Sequence, residues 1–176
     1  MKRLVYLLIF LFIPLILRGQ NSTAIDDLFQ KYAGKEGITS VYISSKMLGM
    51  FGGQEGKDED LNNLVSRLKS IRILTVEDSA LNEKINFYEE LKKKADFTSY
   101  EDLMVVNEAD NVTKFLIRES GKTISELLII SGGKKGNTLI SIRGDLDLKN
   151  ISGLSKKMGI QQLEELDKLE KSPKKK

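Results

Sequence analysis

The stretch that decides the fold runs from Val112 to Arg143 and reads VTKFLIRESGKTISELLIISGGKKGNTLISIR. It contains three strand-like runs, rich in β-branched residues, which are joined by two short polar links. Both links carry glycine, at Gly121 and within residues 132–137, and such links favour antiparallel hairpins. Because residues 127–130 are apolar without alternation, we expect their strand to be central and covered on both faces.

Similar patterns place the other elements around this stretch. Ile25, Leu28, Phe29 and Tyr32 recur at helical spacing and predict a first helix that Ser22 can cap and Gly34 can end. The predicted strands are 38–44, 71–76, 102–107, 112–119, 123–131 and 138–143. The predicted helices are 23–33, 58–69, 79–94, 147–157 and 160–169.

This order of elements predicts the α+β class. An N-terminal part of helices alternating with two strands precedes a four-stranded meander, and further helices follow it. The short connections favour one mixed, mainly antiparallel sheet of about six strands with helices packed on one face. We expect a single domain over residues 21–170 and a basic, disordered tail over residues 171–176.

Residues 1–20 have the pattern of a secretory signal peptide. Lys2 and Arg3 precede an apolar run over residues 4–17, and the chain turns polar at Arg18. This run is shorter than the roughly 20 residues that a membrane-spanning helix needs. We expect cleavage after Gly19 or Gln20, with an uncleaved membrane anchor as the alternative.

Export changes the charge of the chain. The full sequence has 28 basic and 25 acidic residues, and the leader holds three of the basic ones and none of the acidic ones. The mature chain is therefore formally neutral. A neutral domain lacks the concentrated positive charge that nucleic-acid binding requires, so we predict no nucleic-acid partner.

The sequence contains neither histidine nor cysteine. Serine–histidine–aspartate triads, cysteine nucleophiles, thiolate metal sites and histidine-bound zinc are therefore excluded. We predict no catalytic residue, no cofactor and no metal ligand.

Three residue groups suggest chemistry but have simpler explanations. Ser131 and Lys134 have the spacing of a serine–lysine nucleophile, yet the glycines between them indicate a hairpin turn. Asp145 and Asp147 could bind calcium or act as acid and base, but we favour helix capping, as we do for residues 58–60. Five aromatic residues could line a pocket, although core packing explains them as well: Tyr42, Phe51, Tyr88, Phe97 and Tyr100.

Several motifs make the chain resemble the secreted bacterial family known as domain of unknown function 4252. These motifs are FQKY at 29–32, GITSVYIS at 37–44, KML at 46–48, YEDLM at 100–104 and ISIRGDLDL at 140–148. The resemblance implies an envelope protein of a Gram-negative bacterium and implies no activity. Some relatives carry a lipid-attachment cysteine, which this chain lacks.

Two functions remain open. The first is a non-enzymatic binding module of the periplasm or cell envelope, which takes a protein or peptide partner at an exposed sheet edge. The second is a carboxylate-dependent hydrolase of envelope polysaccharide that uses Asp145, Asp147 or Glu101. Membrane association is expected only if the leader is not cleaved, and the sequence predicts no oligomeric state.

Overall fold

A computed structural model describes residues 23–52, 59–94, 97–121 and 123–146. In chain order the elements are α1 (Ala24–Tyr32), β1 (Ile38–Ser44), α2 (Ser45–Gly52), α3 (Glu59–Arg67), β2 (Leu68–Val76), α4 (Ser79–Asn82), α5 (Phe87–Lys94), a 3₁₀ turn (Phe97–Ser99), β3 (Glu101–Glu108), β4 (Asn111–Ser120), β5 (Thr123–Gly133) and β6 (Thr138–Leu146).

The six strands form one open sheet in the order β1-β2-β6-β5-β4-β3. Each pair of neighbouring strands is antiparallel, which confirms the α+β class and the six-stranded sheet and leaves no parallel pair among the described strands. Strand β5 lies between β4 and β6, and residues 127–130 are fully buried, as their apolar run predicts.

Helices cover both faces of the sheet, so the expectation of one covered face is wrong. Consecutive strand residues point to opposite faces, and each face therefore has its own core. On the α1–α5 face, residues of these two helices pack on Leu74, Leu128 and Ile130. On the α2–α3 face, Leu48 and Val65 pack in a cluster with strand residues such as Leu127 and Ile129.

Helix α1 begins with a capping box, one residue later than the predicted cap. The Thr23 side chain accepts the Asp26 N–H at 3.2 Å, and the Asp26 carboxylate accepts the Thr23 N–H at 3.4 Å. Gly34 follows the helix with φ +75°, in the left-handed conformation that glycine favours. At the C-terminal end of the helix, Glu90 of α5 accepts hydrogen bonds from Lys31 and Tyr32.

The predicted helix 79–94 is two helices, α4 and α5. The buried Asn137 holds the break, because its side chain accepts the Phe87 N–H at 2.9 Å and donates to the Ile85 carbonyl at 2.8 Å. Asn86 then caps α5 by accepting the Glu89 N–H at 2.9 Å. A tertiary contact from the β5–β6 link thus interrupts a pattern that is locally helical.

Two strand boundaries also differ from the prediction. Strand β2 begins at Leu68, inside the predicted helix 58–69, and Leu68 pairs with Gly144 of β6. A Cβ at Gly144 would lie 2.5 Å from the Arg67 carbonyl oxygen, so only glycine permits this approach. Strand β5 continues through Gly133, and the hairpin turn is formed by Lys134 and Lys135 rather than by the glycines.

The predicted leader, the predicted helices 147–157 and 160–169 and the basic tail lie outside the described residues. Within the described ranges, no helix combines the length and hydrophobicity that a membrane crossing requires.

Candidate functional site

A row of charged side chains crosses the α1–α5 face of the sheet. Arg143 of β6 pairs with Glu126 of β5, and Glu126 pairs in turn with Arg118 of β4. Residues that are directly opposite in antiparallel strands share a face, so the three side chains form one cross-strand row. The row puts a carboxylate between two guanidinium groups.

Glu126 is fully buried and is the centre of this row. Its Oε1 accepts from the Ser141 hydroxyl at 2.6 Å and from Arg143 Nε at 2.9 Å. Its Oε2 accepts from the Tyr100 hydroxyl at 2.7 Å and from Arg118. Burial alone raises the pKa of a carboxyl, but the hydrogen bonds from Ser141 and Tyr100 and the charge of Arg143 outweigh burial and hold the pKa of Glu126 below its ordinary value. The carboxylate is therefore ionised at neutral pH.

Tyr100 packs against the row at its Arg118 end. Burial and the neighbouring Glu126 charge raise the pKa of its hydroxyl well above the ordinary value, so the hydroxyl stays a donor. The Arg118 guanidinium lies over the Tyr100 ring at 5.0 Å from the centroid, a cation–π contact that orients it.

Asp26 joins a third arginine to the row. Its Oδ1 accepts from Arg72 of β2 and from Arg143 Nη2 at 3.2 Å, while its Oδ2 accepts from the Thr23 hydroxyl at 2.9 Å. Partial burial raises the pKa of Asp26, but the bonds from Thr23 and Arg72 and the charge of Arg143 outweigh it and hold that pKa below its ordinary value. The capping box of α1 thereby fixes the acid that positions two arginines.

A pocket of about 430 Å³ opens beside these two arginines. Nine residues line it, and Arg72 and Arg143 are the two charged ones. The Arg72 guanidinium lies 3.9 Å from the centroid of the Phe29 ring, which forms another wall of the pocket. The remaining walls include Ser40 and Tyr42 on β1, so the pocket reaches the edge of the sheet.

The two edges of the sheet have different chemistry. Strand β1 reads ITSVYIS and has no charged residue, although residues 39–42 are exposed. The opposite edge, β3, begins with Glu101 and Asp102 and ends with Glu108. Natural proteins place charges on edge strands to prevent another strand from pairing with them. Strand β1 lacks this protection.

The described acids of the hydrolase hypothesis do not come together. Glu101 lies on β3 and Asp145 on β6, with two strands between them, so their strands are about 14 Å apart at about 4.8 Å per spacing. Glu101 pairs with Ile117 of the α2–α3 core, whereas Asp145 precedes Leu146 of that core and so points to the opposite face. Asp145 is in β6 rather than after it, which corrects its predicted place at a helix start. Asp147 lies outside the described residues.

Ser131 and Lys134 lie in a strand and a hairpin turn. The Ser131 hydroxyl bonds with Asn111 Nδ2 at 2.8 Å and with the Thr113 hydroxyl at 3.0 Å, across the β4–β5 pair. There is no helical turn to bring the lysine beneath the serine, so the arrangement is that of a hairpin.

Among the aromatic candidates, Tyr42 lines the pocket and is 69% exposed. Tyr88, Phe97 and Tyr100 pack against the α1–α5 core. Nothing is described of the Phe51 side chain or of the acids over residues 58–60. The described residues include no group of three or more acids that could hold a metal ion.

Sequence reasoning missed the residues of the charged row. Glu126, Arg118 and Arg143 each occupy a strand position where a charge on a solvent-facing side is the usual explanation. The available signal was an acid inside the most apolar strand, with arginines near it on both neighbouring strands.

Comparison with known proteins gives one match. A family model described as "Domain of unknown function (DUF4252)" matches residues 32–154, which confirms the resemblance inferred from the sequence motifs. No curated protein and no solved structure matches the chain.

Proposed function

We propose that this chain, which belongs to the DUF4252 family, is an exported cell-envelope protein that acts as a non-enzymatic binding module for a protein or peptide partner. The observation that carries the proposal is the arginine-lined pocket opening beside the uncharged edge strand β1. Main-chain groups of an edge strand can pair with an extended segment of a partner, while a neighbouring pocket selects its side chains.

The acids of the site support binding rather than catalysis. Both oxygens of Glu126 accept two hydrogen bonds each, and Asp26 is held between Thr23 and two arginines. A general acid or base needs a pKa near the working pH, whereas both carboxyls have lowered pKa values. These carboxylates orient three arginines, and two of them, Arg72 and Arg143, line the pocket.

Export is supported by the leader pattern of residues 1–20. Fractionation of the native host, followed by intact mass and N-terminal sequencing, tests this part. A chain that starts at Gln20 or Asn21 in the soluble envelope fraction is the expected result. A chain that keeps Met1 in the membrane fraction would contradict cleavage and would make the domain a tethered accessory protein.

Binding at β1 is tested with two matched charge substitutions, Val41→Lys on β1 and Val105→Lys on β3. The two valines are 37% and 39% exposed and lie on opposite edges of the sheet, and Val41 also lines the pocket. Partners are cross-linked to the wild-type protein in envelope extracts, purified, and titrated against all three proteins. We expect Val41→Lys to weaken binding at least tenfold and Val105→Lys to leave it unchanged. Equal loss for both variants, or loss for neither, would overturn the assignment of β1.

A further inference from the structure

The geometry points to Arg72 and Arg143 as a recognition site for a carboxylate, the acidic side chain of an extended peptide that pairs with β1. This inference rests on the proposed function and adds the chemical class of the ligand. Three observations support this site. The charged row has an excess of positive charge, Arg72 has donors available, and Arg72 pairs with Tyr42 of the edge strand β1.

The charged row carries more positive than negative charge. Arg72, Arg118 and Arg143 are joined to two carboxylates, those of Asp26 and Glu126. One positive charge is therefore not neutralised within the row. Arg72 and Arg143 line the pocket and Arg118 does not, so an anion inside the pocket would contact the first two.

Arg72 has donors available for this anion. Asp26 accepts from its Nη1, and the described residues make no further hydrogen bond to its Nε or Nη2. Stacking on the Phe29 ring holds the guanidinium plane in place without using these donors. An arginine oriented in this way offers the fork that binds a carboxylate through two parallel hydrogen bonds.

The register places the site within reach of a strand added at β1. Tyr42 of β1 pairs with Arg72 of β2, so the two side chains are neighbours on the α1–α5 face. A peptide residue opposite Tyr42 would extend this row by one position. It would lie two strand spacings of about 4.8 Å from the Arg72 backbone, a gap that a glutamate and an arginine side chain can bridge together. Ser40 and Ser70 also line the pocket.

The experiment uses pools of blocked heptapeptides with random β-branched and small flanking residues and a fixed central Glu, Gln or Lys. Binding to the mature protein is followed by fluorescence polarisation and by amide chemical-shift changes. We expect the Glu pool to bind about tenfold tighter than the Gln pool, as a charge-assisted bidentate contact provides. We expect Arg72→Gln to abolish this preference and Arg72→Lys to recover part of it.

Lys114→Gln is the matched control, because Lys114 is a cation of β4 that does not line the pocket. It should leave the preference unchanged. Thermal unfolding of each variant verifies that it is folded. Arg143 is left intact because it also bonds to the buried Glu126.

The remaining outcomes separate the two proposals. Equal binding of the Glu and Gln pools, abolished by Val41→Lys, would overturn the carboxylate site and leave strand addition standing. A Glu preference that survives Val41→Lys but is lost in Arg72→Gln would indicate an anion site independent of β1 and overturn the peptide as its occupant. Tighter binding of Gln peptides with a free C-terminus would assign the carboxylate to the chain end instead. No binding of the Glu pool at millimolar concentration would overturn the inference outright.

Discussion

Glu126 and Leu127 are consecutive residues of the central strand, and both are fully buried, yet they face two different environments. Leu127 points into the α2–α3 core, a cluster of buried hydrophobic side chains. Glu126 points to the α1–α5 face, where four side chains bond to its carboxylate. Among the described residues, the first face is held by packing and by neutral hydrogen bonds, and the second by packing together with buried charges. We therefore expect the second face to respond more strongly to pH or to a ligand.

The largest difference between the faces should appear when the central carboxylate is removed. We expect Glu126→Ala to lower the free energy of unfolding at pH 7 by about 3–5 kcal/mol, because Arg118 and Arg143 lose their buried partner. Urea unfolding measures this change. A loss below about 1 kcal/mol would show that the ionic row contributes little to the fold.

The neighbouring substitution tests the other face. We expect Leu127→Ala to lower the free energy of unfolding by about 3 kcal/mol, through lost burial and the cavity it leaves. Because no ionisable group is involved, this loss should be the same at pH 7 and in mild acid. The loss for Glu126→Ala should instead shrink in acid, since the wild type has by then lost the contribution of its carboxylate. Parallel pH curves for the two variants would contradict the contrast between the faces.

The change in the wild type's free energy of unfolding with pH should be smaller than the loss caused by either substitution. The folded pKa values of Glu126, Asp26 and Glu90 are below their ordinary values of 4.5, 3.8 and 4.5. A lowered pKa means that the unfolded state binds protons first as the pH falls, so stability is full above about pH 5 and is lost progressively in more acid solution. Urea midpoints between pH 7 and pH 3 test this, and a flat profile would contradict it.

The smallest effect on stability is expected at the pocket. Arg72→Gln removes one of two arginines from Asp26, and Arg143 remains bound to it. Since this pair is partly exposed, we expect a loss of at most about 1 kcal/mol. Thermal unfolding measures it. A loss as large as that of Leu127→Ala would make Arg72 a structural residue and would weaken its assignment to ligand binding.

Hydrophobic periodicity predicted the strands, their antiparallel meander and the two-sided burial of residues 127–130. It could not predict the charged row, because the register of β4 against β5 at Glu126 depends on a β-bulge. The hairpin at Gly121 pairs Ser120 with Thr123 and Glu119 with Ile124, which by simple counting would place Arg118 opposite Ser125. The bulge shifts the register by one residue and brings Arg118 opposite Glu126 instead.

The interrupted helix has a similar cause. Residues 79–94 have helical spacing throughout, and the break at residues 83–86 depends on hydrogen bonds with Asn137, far along the chain. Local patterns report local preferences, whereas the bulge and the break result from tertiary contacts. The pocket is formed by α1, β1, β2 and β6, and so depends on pairings between distant parts of the sequence.

The position of β2 beside β6 also has a consequence for how the chain folds. Strands β3 to β6 are joined by short hairpins and can pair early, whereas β2 must find β6 across about 70 residues, as in the pairing of Arg72 with Ser141. Arg72 lies on β2 and Arg143 lies on β6, the two strands that we expect to pair late. We therefore expect the meander to gain protection from hydrogen exchange first and the pocket to be assembled in the last step of folding, so that a partially folded chain cannot yet bind its partner.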